Sequence, residues 1–271
     1  MSVRKFSFTT LVLILLIFSF TFSTAHAGNS VIKPGQALVL QVEGLAKVKT
    51  TQAWKTLEVE DIINNGDEIK TLEQTYCLLV LSDGSTIKLG ENTHIKLSLP
   101  EGEKKKSAIQ IFIGKIWNDV SKAFDKNSTY EVKTPNAIAA VKGTTFEVFT
   151  NGEVDELSVF NGEVLFETGD ALKQVAGDER IKCLKPGVLS ELAKLEKKDL
   201  TPWQKWNLEV DSEIARMRGD SADTGKLTAQ QKIKIREIMK KYKNPYRLSR
   251  TDIMLENFKK SLEKVREKKE K

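Results

Sequence analysis

Histidine and cysteine are scarce in this chain, with two of each in 271 residues. His26 lies in the N-terminal segment, which leaves His94 alone in the rest of the sequence. A lone His excludes a multi-His metal set, and no nucleophilic triad can be assembled unless His94 itself serves. No Gly-rich strand-to-helix loop of the phosphate-binding kind occurs, so neither a metal nor a cofactor is expected. His94 reads as a strand-surface residue. Cys77 and Cys183 are a candidate disulfide in an oxidising compartment. Against a bridge, Cys77 sits in an apolar run, where a free thiol packs well as a small hydrophobe. Both readings stay open.

Long apolar runs are also few. The one at Phe6–Phe22 is interrupted by Ser19 and Thr21, and falls short of the roughly 20 clean apolar residues a membrane span needs. It follows Arg4-Lys5 and precedes Ala25-His26-Ala27, the pattern of a secretory signal. The expectation is a signal peptide over 1–27, cleaved after Ala27, and a periplasmic or secreted mature chain. An uncleaved anchor is the alternative. No Cys follows the site, so a lipoprotein anchor is not expected.

The formal charge is +6, unevenly spread. Residues 191–271 hold 22 Lys+Arg against 14 Asp+Glu, a net of +8, whereas residues 6–190 hold 19 against 23. The pattern of apolar residues divides the chain at the same place. Residues 28–190 read as mainly β: stacked antiparallel strands, sandwich- or solenoid-like. Tyr76–Leu81 (YCLLVL) is apolar on both faces and predicts a fully buried strand. Asn151-Gly152 and Asn161-Gly162 each separate β-rich runs and signal tight hairpins, so Thr144–Thr150, Val154–Phe160 and Glu163–Thr168 read as an antiparallel meander.

Residues 191–271 read as a basic, amphipathic, α-helical region. Thr201-Pro202-Trp203-Gln204 is a capping box with Pro at the first helical position, and Thr228–Gln231 is a second box. Trp203, Trp206, Val210, Ile214 and Met217 form one apolar stripe. A third helix is predicted from about Thr251. Three roles are open for this region: packing on itself or on the sheet; partner binding, with Trp203 and Trp206 as anchors; or attraction to an anionic envelope polymer or membrane surface. Nucleic acid is a poor fit for an exported protein.

A resemblance to a known family rests on several short motifs in order. Val132-Lys133-Thr134-Pro135 leads into Ala140-Val141-Lys142-Gly143-Thr144-Thr145-Phe146-Glu147-Val148, and then Val159-Phe160-Asn161-Gly162-Glu163-Val164. This is similar to the FecR domain, with Lys142 where that family usually has Arg. Upstream, Gly66-Asp67-Glu68-Ile69-Lys70-Thr71, Leu81-Ser82-Asp83-Gly84-Ser85 and Leu89-Gly90-Glu91-Asn92-Thr93 extend the likeness, which covers roughly residues 36–187. The resemblance implies a periplasmic module of cell-surface signalling that contacts the extension of an outer-membrane receptor. FecR-type regulators also carry a cytoplasmic arm for a sigma factor. Only five residues precede the apolar run here, so transcriptional regulation is not carried over.

The expectation is therefore a non-catalytic interaction module with an envelope protein partner; an envelope glycan or anionic surface held by the basic tail is the alternative. Glu147, Glu153, Asp155, Glu156, Glu163 and Glu167 invite a two-carboxylate glycosidase reading. All six are instead expected at turns or on outward faces. Gly143 and Gly162 read as backbone-geometry residues rather than contacts.

Overall fold

The computed structural model describes residues 32–51, 53–99, 106–121, 129–218 and 227–246. The expected signal segment, its cleavage site and the helix from Thr251 lie outside the described residues. The strands in chain order are β1 (Gln36–Glu43), β2 (Ala46–Lys49), β3 (Trp54–Thr56), β4 (Ile62–Asn64), β5 (Glu68–Thr71), β6 (Tyr76–Leu81), β7 (Thr86–Leu89), β8 (His94–Ser98) and β9 (Lys106–Asp119). They continue as β10 (Thr129–Lys133), β11 (Ile138–Val141), β12 (Thr145–Thr150), β13 (Asp155–Asn161), β14 (Glu163–Thr168), β15 (Ala171–Ala176), β16 (Glu179–Lys185), β17 (Val188–Leu189) and β18 (Ala193–Lys194). A short 3-10 turn, Lys197–Asp199, leads to α1 (Pro202–Arg218) and α2 (Ala229–Lys241).

Hydrogen bonding sorts the strands into two sheets that share β9. The first runs β4–β1–β6–β7–β9–β12–β13–β16, with β17 and β18 on β16. The second runs β3–β2–β5–β8–β9–β10–β11–β14–β15. The early part of β9 pairs with β8 and β10, whereas Gly114–Asp119 pairs with β12 and Ile116–Asp119 with β7. The crossover falls at Gly114, whose φ is 101° and where a Cβ would stand 2.5 Å from the Thr93 Cα. Only glycine fits that backbone and that gap. The fold is thus mainly β, a two-sheet sandwich with a C-terminal helical part, as its sequence pattern suggests.

β6 shows why its sequence is apolar without alternation. Cys77, Leu79 and Leu81 point into the core between the sheets, beside Ile95, Phe146 and Phe166. Tyr76, Leu78 and Val80 point the other way and meet Trp203, Trp206, Val210, Ile235 and Met239. The strand is sandwiched between a sheet and a helical layer, so both of its faces are dry. Burying Val210 and Ile214 of α1 contributes about 1.5–3 kcal/mol each. Both capping boxes form: the Gln204 amide nitrogen donates to Thr201 Oγ1 at 3.2 Å and the Thr201 amide to Gln204 Oε1 at 3.0 Å, with the same pattern at Thr228 and Gln231.

The meander expectation is corrected. β12 and β13 do form a hairpin across Asn151-Gly152, with Thr150 opposite Asp155. Asn151 Oδ1 accepts from the amides of Glu153 and Val154, at 2.9 and 2.8 Å, and closes that loop. At Asn161-Gly162 the chain instead leaves the first sheet, and β14 pairs with β11 and β15 in the second. Both Asn-Gly pairs supply a positive glycine φ, 94° at Gly152 and 88° at Gly162. Packing decides the second one: Val164 and Phe166 are fully buried from the opposite side of the core.

The family-like motifs turn out to touch one another. A Cβ on Gly162 would sit 2.9 Å from Thr144 Oγ1, and that hydroxyl donates to the Glu163 carbonyl at 3.1 Å. Upstream, the Thr93 amide donates to Thr71 Oγ1 at 3.0 Å, and Thr71 Oγ1 donates to the Gly90 carbonyl at 2.5 Å. These motifs are joints between strands.

Candidate interaction face

Helices roof the outer face of the first sheet. Among the described residues, no helix packs on the outer face of the second, which therefore presents side chains directly to solvent. Register sets its content. One row across the strands reads Thr56, Lys47, Lys70, His94; the next reads Trp54, Lys49, Glu68, Lys96, Gln110. Neighbouring strands lie about 4.8 Å apart, so the Lys47, Lys70 and His94 side chains rise side by side. Like charges placed directly opposite across a ladder are destabilising.

Aromatic rings are interleaved with these charges. Lys70 Nζ lies 4.5 Å from the Trp54 ring centroid. The Trp54 and His94 rings meet edge-on at 5.8 Å, and Phe112 packs against His94 at 4.5 Å. His94 Nε2 contacts Glu68 Oε2 at 2.8 Å, and Lys49 Nζ stands 3.7 Å from Glu68 Oε1. The His94 hydrogen bond holds the Glu68 carboxyl below its ordinary range. Partial burial pushes the His94 pKa down, aided by Lys70 and Lys49 and opposed by Glu68. At neutral pH the ring is uncharged, and Nε2–H is assigned as the donor to Glu68. His94 thus lies on the strand surface as its sequence position suggests; its partners were not readable.

The far end of the same face differs. Ala140, Leu165, Glu163 and Gln174 border a shallow groove of about 730 Å³. Leu165 and Leu172 are 47% and 62% exposed.

The expectation for the carboxylates is corrected at two positions. Glu153, Glu163 and Glu167 are exposed, and Glu156 is half-buried beside Lys182 at 3.0 Å. Glu147 and Asp155 are instead buried. Asp155 Oδ2 accepts from Thr134 Oγ1 at 2.5 Å and from the Asn136 amide at 3.2 Å, fixing the turn around Pro135. Glu147 Oε1 accepts from Gln204 Nε2 at 2.7 Å, and burial pushes its pKa up to about 7. Gln204 therefore caps α1 with its oxygen and holds the sheet with its nitrogen.

Trp203 and Trp206, read above as anchors for an outside partner, are 2% and 6% exposed. Trp206 packs against Tyr76 at 5.0 Å, and Trp203 stacks on Tyr246 at 5.3 Å. They anchor α1 to its own sheet, because the apolar outer face of β1 and β6 needs that cover. A buried polar network ties the same helix down. Lys88, fully buried, pairs with Asp211, whose other oxygen accepts from Trp117 Nε1 at 2.7 Å. The candidate bridge between Cys77 and Cys183 is not formed: both are buried free thiols. Burial pushes the Cys77 thiol pKa up. Cys183 Sγ has its own partners, Lys185 O at 3.2 Å and Thr168 Oγ1 at 3.4 Å.

Among the described residues, no group of three or more His, Cys, Asp or Glu side chains is placed to hold a metal ion, and no helix is long and apolar enough to cross a membrane.

A two-sheet domain with one face roofed by helices and the other open defines a mainly β module with a helical cover. Residues 67–165, the stretch from β5 to β14, match the family model described as FecR protein. Two crystal structures of a candidate anti-sigma factor from Parabacteroides distasonis ATCC 8503 are also similar. The 1.65 Å structure shares 20% identity at a TM-score of 0.44, over 50% of this chain and 63% of that one. The 2.50 Å structure shares 19% identity at a TM-score of 0.44, over 55% and 73%. No curated protein matches significantly.

Proposed function

We propose that this protein is an exported, non-catalytic interaction module that serves signalling in the cell envelope, with the open face of the second sheet as its contact surface. The FecR match supports a signalling role, and FecR domains are typically periplasmic. The observation that carries the surface assignment is asymmetry. One sheet face is closed by Trp203, Trp206, Val210 and Ile235, and the other displays Trp54, His94, Lys47 and Lys70. A soluble domain gains nothing in stability from clustering lysines on one bare face, whereas a contact surface gains orientation and encounter rate.

The test is a pull-down from envelope extract with the mature chain, residues 28–271, at low and high salt. A saturable protein partner, weakened by substitution of Trp54, supports the reading. Capture that is untouched by changes on the open face refutes it.

A second reading is favoured by α2. Ile235, Ile238 and Met239 are buried while Lys234, Lys240 and Lys241 remain exposed. With the net +8 of residues 191–271, that basic face suits an anionic polymer or membrane surface. It predicts retention on such a surface that fades with salt and is lost on Lys234→Gln with Lys240→Gln.

A further inference from the structure

The function proposed above leaves the partner's chemistry open, and the open face constrains it. Lys47 on β2 stands directly opposite Lys70 on β5, which stands directly opposite His94 on β8. Lys47 and Lys70 repel one another in the free protein, and the neutral His94 ring beside Lys70 offsets none of that charge. The neighbouring row carries Lys49 and Lys96 on either side of Glu68, whose carboxylate is already engaged by His94 and Lys49. This end of the face therefore has four lysines and one glutamate, with Trp54 and Phe112 as apolar flanks. A second anion belongs over the Lys47–Lys70–His94 row, and the protein itself supplies none there among the described residues.

We infer that this row binds an acidic, extended peptide segment of the partner protein. The inference rests on the proposed interaction role. An extended chain turns alternate side chains to one side at a spacing of about 6.7 Å, which lets successive carboxylates reach adjacent lysines of neighbouring strands, while apolar residues of the same segment rest on Trp54 and Phe112. Lysine ammonium groups act as mobile point charges on long stems, and so accept a carboxylate series without demanding one geometry. Binding removes the Lys47–Lys70 repulsion and draws a proton onto His94. The groups facing that imidazole are Glu68 and Lys70 on β5, Lys49 on β2, Trp54 on β3 and Phe112 on β9.

The test uses the mature chain and a fluorescent decaglutamate peptide, followed by anisotropy at low salt, with polygalacturonate as an anionic glycan probe. The expected result is saturable decaglutamate binding that Lys47→Gln with Lys70→Gln weakens about tenfold, and that Lys234→Gln with Lys240→Gln on α2 leaves unchanged. The His94 imidazole signal, followed by NMR, should titrate at higher pH when peptide is bound, a shift that general attraction to the basic tail would not produce. Binding indifferent to the Lys47 and Lys70 changes overturns the inference, as does its loss with the α2 variant alone. Polygalacturonate bound at the row in place of decaglutamate makes the ligand a glycan and overturns it too. An envelope protein captured through Trp54 without decaglutamate binding refutes the acidic segment but leaves the proposed function standing. Decaglutamate binding without any envelope partner does the reverse.

Discussion

Substitution of Glu147 by glutamine tests the account of how α1 is attached to the sheet. The Glu147 side chain lies beneath the start of the helix, accepting from Gln204 Nε2, and burial raises its pKa from 4.5 to about 7. In the unfolded chain the same carboxyl titrates near 4.3. Between those values the folded state holds a proton that the unfolded state has released, so stability falls as pH rises through that window. Below about pH 4 and above about pH 8 this group adds no slope. Each unit of difference is worth about 1.4 kcal/mol, so the decline amounts to about 4 kcal/mol for this site. Glutamine keeps an oxygen for Gln204 and carries no charge at any pH. Its variant should match the wild type near pH 4 and exceed it by about 4 kcal/mol at pH 8. Urea unfolding followed by tryptophan fluorescence reads both values, since Trp203 and Trp206 lie in the layer that detaches. All other titrating groups are common to the two proteins and cancel in the difference. A stability difference that stays constant from pH 5 to pH 8 would refute the buried, proton-holding carboxyl.

Three further outcomes follow from the same geometry. Removing one member of the Lys88–Asp211 pair, as in Lys88→Ala, strands a buried charge and should cost about 3–5 kcal/mol in urea unfolding; Lys88→Met with Asp211→Leu should recover most of that loss. Gln204→Ala removes a capping contact and the Glu147 partner together, for about 2 kcal/mol lost, measured the same way. Gly162→Ala should lower the thermal midpoint more than Gly152→Ala. Both glycines have φ near 90°, but an added Cβ meets Thr144 Oγ1 at 2.9 Å in the first case and nothing within 4 Å in the second.

Local features were legible in the sequence because local chemistry decides them. The two capping boxes, the Asn151-Gly152 hairpin and the buried run of β6 each depend on residues close in the chain. Asn161-Gly162 carries the same dipeptide signal as Asn151-Gly152, yet it sends the chain across the core. A turn signal specifies positive φ but not which strand lies next to the one that follows; that choice rests on Val164 and Phe166 finding the inter-sheet core. The same limit governs the Trp203 and Trp206 stripe. Periodicity showed that one helix face must be covered, and it held no information on whether the cover is a partner or the helix's own sheet.

The candidate face was the least legible feature, for a reason of arithmetic in the fold. Lys47, Trp54, Lys70, His94 and Phe112 come from β2, β3, β5, β8 and β9, and the two pairings that set the row, β2 with β5 and β5 with β8, join strands that are not consecutive in sequence. Each one taken alone is an ordinary outward residue of an alternating strand, and no spacing rule joins them. Only the register, which places Lys47 opposite Lys70 and Lys70 opposite His94, turns three unremarkable positions into one basic row flanked by two aromatic rings. The same reasoning gives a check on the row itself. If Lys47 and Lys70 repel in the free protein, Lys70→Gln should raise stability by a few tenths of a kcal/mol, roughly the cost of a like-charge cross-strand pair. That gain should shrink as salt is added. A loss of stability at low salt would mean that the Lys70 contact with the Trp54 ring outweighs the repulsion, and the electrostatic argument for an anionic partner would fall with it.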